Sequence, residues 1–92
     1  LAEVSTGGIL SKTLIDLPAH KQILFAMDGG QEISDHRAPF VATVHVLDGR
    51  LRFTVEGQEH DLGPHDWVLM PANAPHRLSA VKPTRFLLTL VR

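Results

Sequence analysis

The chain has 92 residues, of which 43% are hydrophobic and 21% charged, proportions typical of a folded domain and not of a disordered or fibrous segment. Nine Lys and Arg against ten Asp and Glu give a formal net charge of −1, and no stretch collects the basic charge that nucleic-acid binding requires. No apolar run approaches the roughly 20 residues of a membrane helix. We therefore predict one domain over residues 1–92, with neither nucleic acid nor a membrane as its partner.

Short apolar segments alternate with turn-forming residues along the chain. The strand-sized segments are 13–17, 21–27, 40–47, 51–56, 58–62, 67–70, 76–81 and 85–91. In segment 51–56 apolar and polar residues alternate strictly, which is the period of a half-buried strand. No window of a dozen residues carries a helical apolar stripe. The pattern therefore predicts an all-β fold with little or no helix.

Turn signals predict how these strands are connected. Asp48-Gly49 separates segments 40–47 and 51–56, and Glu56-Gly57 ends the second of them, so we expect two consecutive hairpins in an antiparallel meander. Many short strands in a small chain are typical of a sandwich or a barrel that protects its edges. A lone domain of this size has modest stability, so we expect a homodimer, with the N-terminal strand as a candidate contact.

The absence of cysteine bears on the compartment. No disulfide framework, thiolate metal site or cysteine nucleophile is available to a chain without cysteine. A chain of this kind suits a reducing environment. We therefore predict a cytoplasmic location.

Two sets of spaced residues stand out, and their histidines, His36 and His76, lie on either side of the predicted meander. The first set is Gly30, His36, Ala38, Ala42 and Gly49, in the pattern G-x5-H-x-A-x3-A-x6-G. The second set spans residues 65–80 in the pattern H-x5-P-x-N-x2-H-x3-A. These intervals resemble the two signature motifs of cupins, with motif 1 at about 30–49 and motif 2 at about 65–80. In motif 2, His65 and Asn73 stand where the cupin pattern has glycine, and Ala80 stands where it has Asn. The chain resembles a small single-domain cupin of the conserved-barrel type over about residues 21–91, which implies a double-stranded β-helix, or jelly-roll barrel.

The resemblance also implies a metal site, which this sequence retains only in part. Metal-binding cupins hold their ion with three His and one Glu. His36 stands at the first His position and His76 at the last, whereas Ala38 replaces the second His and Ala42 the Glu. The resemblance therefore implies a degenerate site at His36 and His76 for a divalent transition metal, namely Fe, Mn, Ni or Zn. Successive side chains of a strand point to opposite faces, so His45 is expected to point away from the face that carries Ala42. His45 becomes a third ligand only if a β-bulge reverses the direction of its side chain.

The same resemblance predicts a pocket inside the barrel. Its predicted lining consists of Phe40, Ala42, Val44, Trp67 and Met70. A mainly apolar cavity with a few polar anchors, here His36 and His76, is the usual composition of a small-molecule site. For Phe40, Trp67 and Met70 simple core packing is the alternative interpretation.

Three functions remain open from the sequence. The first is a small cupin that binds a small organic ligand in its barrel without catalysis, a role that the two alanines at ligand positions favour. The alternative is a metal-dependent cupin enzyme of the dioxygenase or isomerase type, in which the metal polarises a substrate oxygen or binds dioxygen. The third is a structural or interaction protein, since a fold does not fix a function. No catalytic residue is assigned.

Overall fold

The computed structural model describes residues 8–92, and for residues 34–36 it describes the backbone alone. It contains seven strands, which are β1 (Ile9–Leu17), β2 (His20–Met27), β3 (Glu32–His36), β4 (Val41–Val55), β5 (Gln58–Leu62), β6 (Trp67–Met70) and β7 (His76–Val91). All strand pairs are antiparallel. Within this part of the chain no helix is long and apolar enough to cross a membrane. The prediction of an all-β jelly roll with little or no helix is confirmed.

The two longest strands, β4 and β7, each run through both walls of the barrel. Residues 41–48 of β4 and 84–91 of β7 form a five-stranded sheet in the order β1-β2-β7-β4-β6. Residues 50–55 of β4 and 76–82 of β7 form a four-stranded sheet in the order β3-β7-β4-β5. The two sheets therefore meet at a bend near residue 49, and their inner faces enclose the core.

The bend differs from the predicted chain path. The expected hairpin at Asp48-Gly49 is wrong, because β4 continues through these residues with register shifts on both sides of Gly49. Gly49 has φ +96, a conformation that favours glycine. Thr84 of β7 is fully buried there, and its Oγ1 accepts a hydrogen bond from Arg50 N at 3.0 Å and donates one to the Lys82 carbonyl oxygen at 2.7 Å. β4 and β7 therefore bend together at this point and stay paired on both sides of it, whereas a hairpin would have reversed the direction of the chain.

β7 likewise unites two predicted strands. Segments 76–81 and 85–91 belong to one strand that passes through Pro83. A proline lacks the N–H that a sheet ladder uses and is tolerated at irregular positions, and Pro83 lies within the bend. β3 was not among the predicted strands.

The predicted turn at Glu56-Gly57 is confirmed. It joins β4 to β5 in a two-residue loop between Val55 and Gln58, and both turn residues have positive φ, 48 at Glu56 and 79 at Gly57. A two-residue hairpin with two positive φ values is a type I′ turn, whose twist matches that of the strands.

The core consists of alternate residues on the inner faces of the two sheets. Its fully buried members include Met27, Val44, Val46, Leu51, Phe53 and Phe86. The alternation predicted for segment 51–56 is confirmed, since Leu51, Phe53 and Val55 are buried whereas Arg52 is exposed. Each large side chain of this kind contributes about 1.5–3 kcal/mol when it leaves water. The densely packed interior fixes the strands that carry the candidate site.

Candidate functional site

The candidate site lies at the end of the barrel opposite the bend. Ala42 is near the start of β4, and His76 is the first residue of β7. Ala42 lies in the five-stranded sheet and His76 in the four-stranded sheet, and each is about seven residues before the bend along its strand. The fold therefore brings the motif 1 position 42 and the motif 2 position 76 to the same end of the barrel.

His76 is held in one orientation by two contacts. Its ring stacks on that of Phe53, with centroids 5.9 Å apart and an interplanar angle of 8°. Its Nδ1 lies 3.2 Å from the carbonyl oxygen of Ala74. Since a carbonyl only accepts hydrogen bonds, this contact requires the proton on Nδ1, so in the neutral ring Nε2 carries the lone pair. The half-buried imidazole is thus oriented and fixed in one tautomer.

The second histidine of the predicted pair is described only in its backbone. His36 is the register partner of His76 in the pairing of β3 with β7. Its side chain lies outside the described residues, so its roles as a metal ligand and as a pocket anchor stay predictions.

The loop before His76 is held by backbone hydrogen bonds to the β3–β4 connection and to the β4–β5 turn. Asn73 N donates to the Ala38 carbonyl oxygen at 2.7 Å, and Glu56 N donates to the Pro75 carbonyl oxygen at 3.0 Å. These bonds hold the end of motif 2 against the beginning of motif 1. Position 38, where metal-binding cupins carry a histidine, is therefore close to the same end of the barrel as His76.

Backbone conformation explains why the motifs favour glycine at particular positions. Gly30 has φ +86, and two residues that replace motif glycines, His65 and Asn73, have φ values of +70 and +64. Asn and His enter this left-handed region more readily than most residues other than glycine. The substitutions therefore preserve the turns of motif 2, and they identify a structural role for His65 that its sequence position alone did not reveal.

The predicted pocket residues divide into three groups. Ala42, Val44 and Met70 are 1%, 0% and 3% exposed and belong to the packed core. Phe40 is half-buried. The assignment of Trp67 to the pocket is corrected, because Trp67 is 63% exposed and pairs with His45, whose neighbours Val44 and Val46 are the inward residues of β4. Trp67 and His45 therefore lie on the outer face, as parity predicts for His45.

Two concave regions border the four-stranded sheet. One of about 200 Å³ lies beside His76, and the rest of its lining consists of Thr54, Gly57, Pro75 and Arg77. Another of about 310 Å³ lies on the outer face, where Arg52, Glu59 and Arg77 contribute charge. The outer groove was not predicted, although the alternation of polar residues in segments 51–56 and 76–81 places such side chains outside the barrel.

Comparison with known families decides the classification. The model of the cupin-domain family matches residues 23–91. The chain belongs to the cupin family. The search of curated proteins finds no significant match.

Solved structures agree with this classification. A conserved protein of unknown function from Streptococcus pyogenes is similar to this cupin at a TM-score of 0.92 and 31% identity, over 98% of this chain and 79% of the other. A cupin 2 conserved barrel domain protein from Leptotrichia buccalis gives a TM-score of 0.92 and 30% identity, over 99% of this chain and 44% of the other. A DMSP lyase from Ruegeria pomeroyi shares the fold at a TM-score of 0.86 and 23% identity, over 91% and 47%. These relatives include an enzyme and a protein of unknown function, so the fold alone does not assign a reaction to this cupin.

The donor set tests whether a cupin metal fits this site. Among the side chains that the structure describes, no group of three or more His, Cys, Asp or Glu is placed to hold one ion. Ala38 and Ala42 present methyl groups at two of the four cupin ligand positions, and Ala42 is packed in the core. Catalytic metal sites usually keep three protein ligands, so the described side chains do not make a complete site.

Proposed function

We propose that this cupin binds a small organic molecule at the end of its barrel opposite the bend, with His76 as the polar anchor. The observation that carries the proposal is the fixed geometry of His76, which is stacked on Phe53 and bonded through Nδ1 to the Ala74 carbonyl. A half-buried imidazole held in one orientation is suited to direct a hydrogen bond, and the cavity of about 200 Å³ beside it gives a ligand access.

The surroundings of His76 define the chemistry of the ligand. The alanines at positions 38 and 42 remove two polar side chains that metal-binding cupins carry there. Phe53, which stacks on the ring of His76, and Leu78, two residues along β7, form an apolar surface beside the histidine. Arg77 contributes a positive charge to the adjacent cavity. An apolar wall with one oriented polar ring favours a ligand with an apolar body and a single hydrogen-bonding group. We therefore propose small aromatic or aliphatic carboxylic acids and phenols as the ligand class.

The test uses a defined probe set and two variants. Thermal unfolding is measured with a panel of small carboxylic acids and phenols on the wild type, on His76→Phe and on His65→Gly. The His76→Phe variant keeps a planar ring but loses the hydrogen bond, and His65 is exposed in the turn before β6. We expect probes that stabilise the wild type and His65→Gly alike and lose their effect in His76→Phe. Probes that act equally on all three proteins, or no stabilising probe in the panel, would contradict the proposal.

A metal-dependent enzyme is the second candidate, and one observation favours it. Metal-binding histidines almost always donate their second ring N–H to a carbonyl or carboxylate, and the Nδ1 contact of His76 with Ala74 has this form. His36 and His76 would then hold a divalent Fe, Mn, Ni or Zn ion together with a further donor. Such an ion acts as a Lewis acid on a substrate oxygen.

Elemental analysis separates the two candidates. It is made on protein purified without a metal-chelating tag, beside the variant His36→Ala/His76→Ala. About one equivalent of a transition metal that is lost in the variant would favour the enzyme. Metal content that stays near zero after incubation with each ion would exclude the enzyme and leave the ligand-binding proposal standing.

A further inference from the structure

The outer groove lies on the outer face of the four-stranded sheet, away from the barrel interior. Its volume is about 310 Å³, at the lower end of the range of small-molecule pockets. Its polar lining consists of Glu32, Arg52, Thr54, Glu59, Arg77 and Ser79. A concave region with so many groups that form hydrogen bonds and ion pairs is a candidate binding site in its own right.

The strand register places these six residues in two rows that cross the sheet. The first row is Glu32, Ser79 and Arg52, on β3, β7 and β4, and the second is Arg77, Thr54 and Glu59, on β7, β4 and β5. The two rows are two residues apart along each shared strand, so their side chains share one face. Phe53 and Leu78, which lie between the rows in sequence, belong to the core. β7 and β4 therefore form the floor of the outer groove, and β3 and β5 form its sides.

Two of the four charged side chains in the outer groove pair with each other, and two do not. Arg52 Nε lies 3.3 Å from Glu59 Oε1. Arg77 and Glu32 form no ion pair or side-chain hydrogen bond with any residue that the structure describes. Their positions are diagonal neighbours across β7 and β3, with Cα atoms about 7–8 Å apart. The outer groove therefore presents one guanidinium and one carboxylate that are both available to a ligand.

Two hydroxyl groups lie beside these charges. Thr54 and Ser79 are half-buried in the floor of the outer groove, and within the described part of the chain neither side chain takes part in a hydrogen bond. A hydroxyl donates one hydrogen bond and accepts two. Thr54, the register partner of Arg77, can therefore donate to an anionic group held by Arg77, and Ser79, the partner of Glu32, can accept from a cationic group held by Glu32.

The charge pattern selects the class of ligand. A polyphosphate would be repelled by the two carboxylates, Glu32 and Glu59. A metal ion would lack donors, because the described side chains contain no group of three or more His, Cys, Asp or Glu around one point. A molecule with one carboxylate and one ammonium group matches both unpaired charges, since a guanidinium binds a carboxylate through two parallel hydrogen bonds.

We propose that the outer groove binds a small zwitterion, namely an α-amino acid with an apolar side chain. Arg77 holds the carboxylate, and Glu32 accepts hydrogen bonds from the ammonium group. Ile33, which is half-buried and lines the outer groove, contacts the apolar side chain. Arg77 and Thr54 also border the cavity beside His76, but Glu32 and Ser79 line the outer groove alone. The proposal is therefore independent of the ligand site at His76.

The test compares an amino acid with two analogues that each carry one of its charges. The probes are L-leucine, isocaproate, which keeps the carboxylate alone, and isoamylamine, which keeps the ammonium group alone. Heteronuclear NMR titrations of the wild type, Glu32→Gln and Glu56→Gln give dissociation constants from the amide shift of Ser79. We expect L-leucine to bind the wild type and Glu56→Gln alike and more tightly than either analogue. Glu32→Gln should raise its dissociation constant about tenfold or more, because hydrogen bonds to a charged group are lost.

The variant His76→Phe separates this site from the one proposed at the end of the barrel. It should bind L-leucine as the wild type does, since His76 does not line the outer groove. Circular dichroism confirms that each variant is folded. A Ser79 amide that L-leucine does not shift, affinity for L-leucine no higher than for both analogues, or affinity that Glu32→Gln leaves unchanged would each overturn the proposal. Binding of L-leucine that is lost in His76→Phe would also overturn it.

Discussion

Gly49 and Thr84 touch at the bend so closely that no side chain fits between them. A Cβ on residue 49 would lie 2.4 Å from Thr84 Oγ1 and 2.6 Å from Thr84 Cα. The motif 1 glycine is therefore required by contact as well as by its φ of +96. This contact allows β4 and β7 to bend together and thereby sets the two walls of the barrel.

The first prediction follows from that contact. Gly49→Ala should lower the free energy of unfolding by about 3 kcal/mol or more, because backbone strain and overpacking act together. Gly57→Ala is the matched control, since Gly57 has a φ of +79 but no atom lies within 4 Å of the position that a Cβ would take. This control substitution should lower the free energy of unfolding by only about 1–2 kcal/mol. Chemical denaturation of both variants measures the difference. Equal losses would show that the crowding at the bend is unimportant.

The bend also shows where sequence reasoning stops. An Asp-Gly pair between two apolar segments is compatible with a hairpin and with a bend, and the choice depends on contacts with β7 that are distant in the chain. Motif spacing did place His76 at the start of a strand. Segment 67–70 is apolar at every position, so it has no alternation of polar and apolar residues from which its inner face could be predicted. In the structure Val68 and Met70 point inward, and Trp67 and Leu69 point outward.

The second prediction concerns the strained turn at His65. His65 has φ +70 and is exposed, and a non-glycine residue in this region carries a cost of about 1–2 kcal/mol. Glycine relieves that strain but gains freedom in the unfolded chain. His65→Gly should therefore raise the free energy of unfolding by a net amount of up to about 1 kcal/mol. His65→Val, which adds a β-branched side chain to the same turn, should lower it, and the reverse order would contradict the backbone argument.

The third prediction concerns pH and the Arg50–Asp61 pair. Arg50 donates two hydrogen bonds to the Asp61 carboxylate, both at 2.9 Å, and these bonds, with the positive charge of Arg50, hold the pKa of Asp61 below its usual value. A carboxylate whose pKa is lowered by folding stabilises the protein above its unfolded pKa, and this contribution is lost as the pH falls through the folded pKa. The wild type should therefore be more stable than Asp61→Asn at neutral pH, and the difference should vanish in acid.

Thermal unfolding of both proteins between neutral pH and about pH 2 checks this prediction, because the window lies around and below the ordinary Asp pKa of about 3.9. Glu56→Gln serves as the control, since Glu56 is an exposed turn carboxylate with no ion pair among the described residues. A difference between the wild type and Asp61→Asn that persists unchanged at the acid limit would contradict the role of the ion pair.

The last prediction restores the donors that this cupin lacks. The variant Ala38→His/Ala42→Glu places the missing His and Glu at the positions that metal-binding cupins use, near His76. Because position 42 is 1% exposed, the buried carboxyl should lower the stability of the metal-free variant by about 1–3 kcal/mol. If the side chains at positions 38, 42 and 76 converge on one ion, Mn or Ni at about 100 times its dissociation constant should raise the free energy of unfolding of the double variant by about 2.7 kcal/mol. The same metals should stabilise the wild type far less.

A third substitution identifies the source of any such effect. Adding His76→Phe to the double variant removes the histidine whose ring the Ala74 carbonyl orients, and the metal-dependent rise in melting temperature should then largely disappear. Chelator should abolish the rise in the double variant and leave the wild type unchanged. A double variant that folds but gains no stability from metal would show that positions 38, 42 and 76 do not converge, and it would also weaken the assignment of the ligand site to this end of the barrel.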